Sequence, residues 1–514
     1  MTQRKPEFRW TAACLALSAW AAQAQQVDGG APPSGGLRPR LSVSQSWTDN
    51  LRLDDQNKDA ALVTTVSPGL SYVKNSGSIR GSLDYALNGI AYVKTSVPSR
   101  FQNALSANLQ AEVVPQTLVV DAQASIGQQN ASAFGLQATP TLGAQGSVSA
   151  LDNPNRRETG TLTVSPNLRT QLAGALAVDL RATASVTQVR GSALGDSHSR
   201  GATLRVNPLG GGVLRWYALA NTQQVAPKES LSNHTRSVLG GVDYQPDPDW
   251  ALNLNAGQEW NDYLDRASGA TGRPTGGFGV EWTPTVRTRL SGNWQHHSYG
   301  DSHALSFQHR IRHAAVQASD SRSVSVGTAG APGGIRTNYD LYFQLFASQE
   351  PDPVKRDTLV RAYITSLGLA PDALAAVGFL SSGPARLHNQ SLSFTLQGIR
   401  ANLTATLNRS ITARVASGLN QGDLATNSAV EQRSYALTGS YQLTPVTGLA
   451  LTASQQRSQG DSALAHTRLR SLLANLNTRL GARVSVQLGA RHSRFASATP
   501  YTENAAYATL TQQF

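Results

Sequence analysis

From Thr159 to Thr187, polar and apolar residues alternate one by one on either side of a two-residue break at Ala173-Gly174. Before the break, Thr159, Thr161, Thr163, Ser165, Asn167, Arg169 and Gln171 interleave with Leu162, Val164, Leu168 and Leu172. After it, Asp179, Arg181, Thr183, Ser185 and Thr187 interleave with Leu176, Val178, Leu180, Ala182, Ala184 and Val186. A period of two is a β-strand with one wet and one dry face. Sustained over ~10 residues per segment, it marks a membrane-spanning β-strand between lipid and a polar lumen.

The alternation runs from Leu41 to Phe514, so one large closed antiparallel barrel explains it better than a string of soluble sandwiches or a secreted repeat array. No stretch holds ~18 consecutive apolar residues, so no helical span is expected. Arg4, Lys5 and Arg9, an apolar run from Trp10 to Ala22, and Ala22-Gln23-Ala24 read as a secretory leader over residues 1–24. Residues 25–40, rich in Pro and Gly, read as a flexible linker. The single cysteine, Cys14, falls inside the leader, which leaves the exported chain without disulfides or thiolate ligands. The whole chain carries +12; removing three basic residues and Glu7 with the leader leaves +10. Such an excess suits contact with anions.

Breaks in the alternation come as short and long connections in turn. Short ones fall at Asn75 to Gly77, Pro115-Gln116, Ala173-Gly174, Gly210 to Gly212, Pro246 to Asp249, Pro284-Thr285, near His313, Arg400-Ala401, Thr444 to Thr447, and Gly481. Short periplasmic turns and longer outer loops follow this rule in bacterial barrels. The count predicts about 22 strands, within a range of 18 to 22, with both ends on the periplasmic side. The terminal track ends on Leu510, Gln512 and Phe514; a closing aromatic resembles the signal read by the barrel-assembly machinery, with Gln512 a departure from it.

Residues 327–385 interrupt the pattern. Asp352 suits an N-cap, Pro353 the first helical position and Gly368 the C′ position, which puts Val360, Tyr363, Ile364 and Leu367 on one helical face. This helical insertion belongs to the outer side, as a plug or constriction or as a surface lid.

With Gly300-Asp301 taken as a two-residue hairpin loop, residues whose numbers sum to 601 would face each other. Arg287, Arg289, Asn293, His297, Ser306, Arg310 and Arg312 then share the wet face, and Leu290, Trp294, Leu305 and Phe307 the dry one. Arg289 would lie opposite Arg312. Together with Arg169, Arg181, Arg483 and Arg491 on other polar tracks, these arginines suggest a basic collar at the inner mouth. Asp179 and Glu281 are the candidate counter-charges, and arginines paired with acids to fill the interior are the plainer reading. His296, His303 and His309 point to lipid and His297 to the lumen, so no metal site is expected from them. Neither a catalytic constellation nor a nucleotide fingerprint stands out, and no cofactor or nucleic-acid partner is expected.

Four segments carry a family resemblance: Ser44-Gln45-Ser46-Trp47-Thr48-Asp49-Asn50, Val66-Ser67-Pro68-Gly69-Leu70, Gln129-Asn130-Ala131-Ser132-Ala133-Phe134-Gly135, and Asp352-Pro353-Val354-Lys355-Arg356. In order and spacing the chain resembles outer-membrane β-barrel proteins associated with PEP-CTERM sorting and exopolysaccharide loci of Gram-negative bacteria. The resemblance implies an outer-membrane location, with lipids, exopolysaccharide and export components as partners. A passive pore or secretion conduit for anionic exopolysaccharide in such an export system is the leading expectation, and a non-conducting scaffold that docks partner proteins of that system is the alternative.

Overall fold

The computed structural model describes residues 36–74, 77–93, 95–139, 151–262, 272–325, 378–415 and 421–514, together with Phe343, Phe346, Arg356 and Val360. Twenty-two strands form one antiparallel sheet. The first, Gly36–Thr48, pairs with the last, Tyr501–Gln513, from Arg40↔Gln513 to Thr48↔Ala505, which closes the sheet into a barrel without edges. Closure matters because hydrocarbon offers no partner to an unpaired backbone N–H or C=O.

The hairpin of Arg156–Leu172 and Leu176–Val189 shows how the alternation becomes a wall. Ala173 and Gly174 both take positive φ, 51° and 67°, as a tight turn matched to strand twist requires. Inside, hydroxyls form a cross-strand ladder: Thr161 with Thr187 (3.3 Å), Thr163 with Ser185 (2.9 Å) and Ser165 with Thr183 (3.2 Å). Outside, Leu162, Leu168, Leu172 and Leu180 are exposed. Polar groups face the lumen and apolar groups face out, the inversion of a soluble core that lipid demands.

Ringing the outward face, Trp216, Tyr244, Trp250, Trp282 and Tyr441 stand near the short turns, and Trp47, Phe101 and Trp294 near the long loops. Trp250 stacks on Trp282 at 5.4 Å. Two such girdles bound the apolar band of a membrane barrel.

Three expectations need correction. The strand expected to begin at Leu41 begins at Gly36, so 36–40 are wall and not linker; Pro39 and Gly36 hid a register that runs unbroken from Gly36↔Val73. The turn expected at Pro284-Thr285 lies at Val286-Arg287, between strands Arg273–Thr285 and Thr288–His297. Most consequentially, the hairpin loop is Ser298-Tyr299: His297 pairs with Gly300 and Leu290 with Phe307, four residues from the expected Ile311. Arg289 therefore faces Gln308, not Arg312. Glu259, two strands away beyond Arg273–Thr285, draws the turn earlier, accepting from the Ser298 backbone N (2.6 Å) and lying 2.7 Å from His297 Nδ1. An even shift leaves every side chain on its expected face, and the wet and dry assignments hold.

Within 327–385, Phe343, Arg356 and Val360 are helical, Arg356 stands over the Phe343 ring at 4.8 Å, and Val360 is fully buried. Tyr363, Ile364 and Leu367 lie outside the described residues, as do the leader and Cys14.

Candidate functional site at the two mouths of the barrel

At the inner mouth, the lumen-facing tracks bring arginines and acids together. Arg169 reaches Asp179 (3.2 Å), Arg181 reaches Asp121 (3.7 Å), Arg205 reaches Asp243 (3.4 Å) and Arg289 reaches Glu281 (2.7 Å). Asp179 and Glu281, the two acids singled out in the sequence, are thus both engaged. Asp121, Arg205 and Asp243 were missed, because cross-strand neighbours follow from register and not from the alternation itself. Arg310 ends its strand beside Arg287, its backbone N donating to the Arg287 carbonyl (3.0 Å). Arg287, Arg289 and Arg310 line a recess of about 470 Å³ at this rim. Arg287, Arg312 and Arg483 sit in the turns themselves, and these three and Arg310 have no acidic partner among the described residues.

Arg491 does not belong with them. It lies in the outer half of the wall, buried, with Nε 3.1 Å and Nη2 2.5 Å from the Glu503 carboxylate. Glu503 also accepts from Thr48 Oγ1 (3.1 Å), while Arg491 Nη1 donates to the Thr139 carbonyl (3.0 Å). The alternation placed Arg491 on the correct face, but depth along the strand takes it away from the collar.

Thr139 is part of an outer loop that turns into the barrel. In the same loop, the Gln137 carbonyl accepts from Tyr501 Oη and the Ala133 carbonyl from Thr467 Oγ1 (3.5 Å). A second tie crosses between loops: Asp423 accepts from Ser132 Oγ (2.7 Å) and from the Ala133 backbone N (2.6 Å). A third joins the end of the insertion, where the Leu380 N donates to the Asn130 carbonyl (3.0 Å) and Ser381-Ser382 pairs with Gly422 and Gln421. Ala133, Phe379, Ala385, Leu424 and Val430 form the buried apolar centre of this hub, with Phe134 against it. A neighbouring cluster of Leu53, Leu151, Leu469, Phe495 and Tyr501 seats Leu136 and Ala138.

Burial holds the Asp423 carboxyl above the ordinary value of 3.8, against its two hydrogen bonds. Asp461, in the adjoining loop, is held below 3.8 by the backbone N–H and then the hydroxyl of Ser428. The sequence does carry a signal for this hub. Val430, Leu469, Phe495 and Tyr501 are apolar or aromatic residues on the wet tracks near long loops, positions that only a covering loop would dry. The segment Gln129 to Gly135, one of those that carry the family resemblance, supplies the inward-turning chain.

On the outward face, His303 meets partners from two other strands. Its Nε2 lies 3.1 Å from Asp320 Oδ1, and His388 Nε2 lies 2.8 Å from the same oxygen. These three could offer two imidazoles and a carboxylate to a metal ion, though both imidazoles are hydrogen-bonded to the carboxylate as they stand. His388 comes from beyond the insertion, so no local spacing would reveal the cluster. His296, His297 and His309 go to separate partners, Asp301, Glu259 and Thr288.

This fold and site define an outer-membrane-type β-barrel with an occupied outer mouth. No protein-family model and no curated protein matches the sequence. Among solved structures the chain is similar to the FrpB iron transporter from Neisseria meningitidis in its apoprotein form, with TM-score 0.49 and 10% identity over 93% of this chain and 81% of that one. It is similar as well to the siderophore receptor PirA from Pseudomonas aeruginosa, with TM-score 0.43 and 11% identity over 93% and 80% of the two chains.

Proposed function

We propose that the chain is an outer-membrane conduit whose outer mouth is held shut by its own loops and whose inner mouth offers arginine to an anionic solute or polymer. The outward apolar band with two aromatic girdles, and the leader read in the sequence, support the location. The infolded loop bonded to the wall at Arg491, Thr467 and Tyr501 is the observation that carries the reading, because a barrel of this strand number encloses a lumen that an unregulated protein would leave open. Exopolysaccharide is the substrate class that the family resemblance suggests. The insertion contributes to the closure: Val360 is buried, and Phe379 to Ser382 lie within the hub.

Reversal potentials of the reconstituted barrel across a salt gradient test the charge of the path, with anion selectivity expected; cation selectivity would sink it. Deleting 330–384 should raise conductance, and an unchanged value would remove the insertion from the closure. The scaffold reading is favoured by one observation, that Arg169, Arg181, Arg205 and Arg289 already have acidic partners. A sealed lumen in every loop variant would select it. A deletion strain that keeps its surface polysaccharide would separate the substrate class from the conduit.

A further inference from the structure

The arginines of the lumen are not the densest set in the molecule. On the outward face, Arg409 pairs in register with Arg433, Arg433 with Arg457, and Arg457 with Arg468, across four adjacent strands. One step below, Gln455, Arg470 and Arg494 form a second row. All these residues share the outward face with Leu407, Leu437, Leu451, Leu472 and Leu488, which are exposed. The rows stand above the upper limit of that apolar band, one or two same-face positions beyond Leu407, Tyr435 and Leu472, roughly 7–14 Å along the strand.

Like charges directly opposite across a strand pair destabilise the sheet unless something intervenes. Within the rows Glu431 is the intervening acid, accepting from Arg409 Nε (2.5 Å) and Arg433 Nε (2.7 Å). Arg470 Nε donates to the neutral Gln455 (2.9 Å). Arg457, Arg468 and Arg494 have no acidic partner among the described residues, and the Nε atoms of Arg457 and Arg468 are buried without a hydrogen bond. A groove beneath the rows is floored by Leu407, Leu437 and Leu472 and headed by Arg470, His492 and Arg494.

We propose that this face binds a phosphate-bearing lipid of the outer leaflet, its phosphates on the arginine rows and its acyl chains along the leucine floor. The chemistry fits in two parts. Guanidinium is the side chain suited to forked recognition of phosphate, and four strands at ~4.8 Å spacing give a row about 14 Å long, wide enough for more than one phosphate. A soluble anion would leave the apolar floor unused, and an uncharged lipid would leave the arginines opposed. The site is separate from the lumen and does not rest on the conduit reading.

Native mass spectrometry of the full chain in detergent micelles tests it with three probes: a diphosphorylated hexa-acyl disaccharide lipid, the same lipid stripped of phosphate, and inorganic phosphate. The phosphorylated lipid should be retained at least tenfold more than the stripped one, and the variant R457Q/R468Q should lose that preference while R289Q at the inner mouth keeps it. Equal retention of the two lipids by the wild-type chain overturns the proposal, whatever the variants do. Retention of inorganic phosphate as strong as that of the lipid, or a preference that survives R457Q/R468Q in a barrel with heat-modifiable mobility, would overturn it as well.

Discussion

The two mouths of the barrel use the same ion pair in opposite surroundings. Arg169 and Asp179 at the inner mouth are 64% and 41% exposed; Arg491 and Glu503 beneath the outer loops are 3% and 1% exposed. Water screens the first pair and leaves it worth little. The second has lost its water, so each charge depends on the other and on Thr48 and Thr139. The same alternation of residues thus builds a rim at one end where pairs such as Arg169 and Asp179 stay wet, although Arg40 on Asp84 is 6% exposed there, and a dry anchor for an infolded loop at the other.

Removing one half of the dry pair should have the largest effect. Glu503→Leu leaves the Arg491 guanidinium buried without a counter-charge and should cost about 3–5 kcal/mol, read by urea unfolding in lipid vesicles. Asp423→Ala removes the acceptor of two hydrogen bonds in the hub and should cost about 2–3 kcal/mol of local closure, read as faster amide exchange at Ser132 and Ala133 with global unfolding unchanged. The smallest effect belongs to the wet rim: Asp179→Asn should shift stability by less than about 1 kcal/mol. A cost at Asp179 equal to that at Glu503 would erase the distinction between the mouths.

Acid should act on the outer mouth in two opposed ways. Asp423 has a raised carboxyl pKa, so its closed contact binds a proton more tightly than the open one; that contribution is present in full below the ordinary 3.8 and is lost as pH rises through the raised value. Asp461 has a lowered one, so its contact with Ser428 is intact above 3.8 and is lost as pH falls through the lowered value. Acidification toward 3.8 should therefore slow exchange at Ala133, and further acidification should free Ser428. Asp423→Asn should abolish the first change and leave the second.

The faces were legible in the sequence because a period of two needs no knowledge of neighbours. Thr161, Thr163 and Ser165 line the lumen as their alternation requires, and the strand number followed from counting turns. Register was not legible where a distant side chain sets it, as Glu259 does for the Ser298-Tyr299 loop. Depth was not legible either, which is why Arg491 was grouped with Arg169. The outward arginines escaped for a related reason: Arg409 stands between Leu407 and Ile411 on a dry track and Arg433 lies beyond Tyr435 on another, and only cross-strand pairing shows them in one row. The hub at Asp423 joins residues some 290 positions apart, beyond any local pattern.

Single-channel recording of the wild-type barrel beside a variant carrying Ser132→Ala and Asp423→Ala tests the closed outer mouth most directly. The wild-type chain should conduct weakly, with rare openings, and the variant should dwell in a larger, anion-selective open state. Equal conductance and equal open probability in the two would contradict a mouth held shut by these loops.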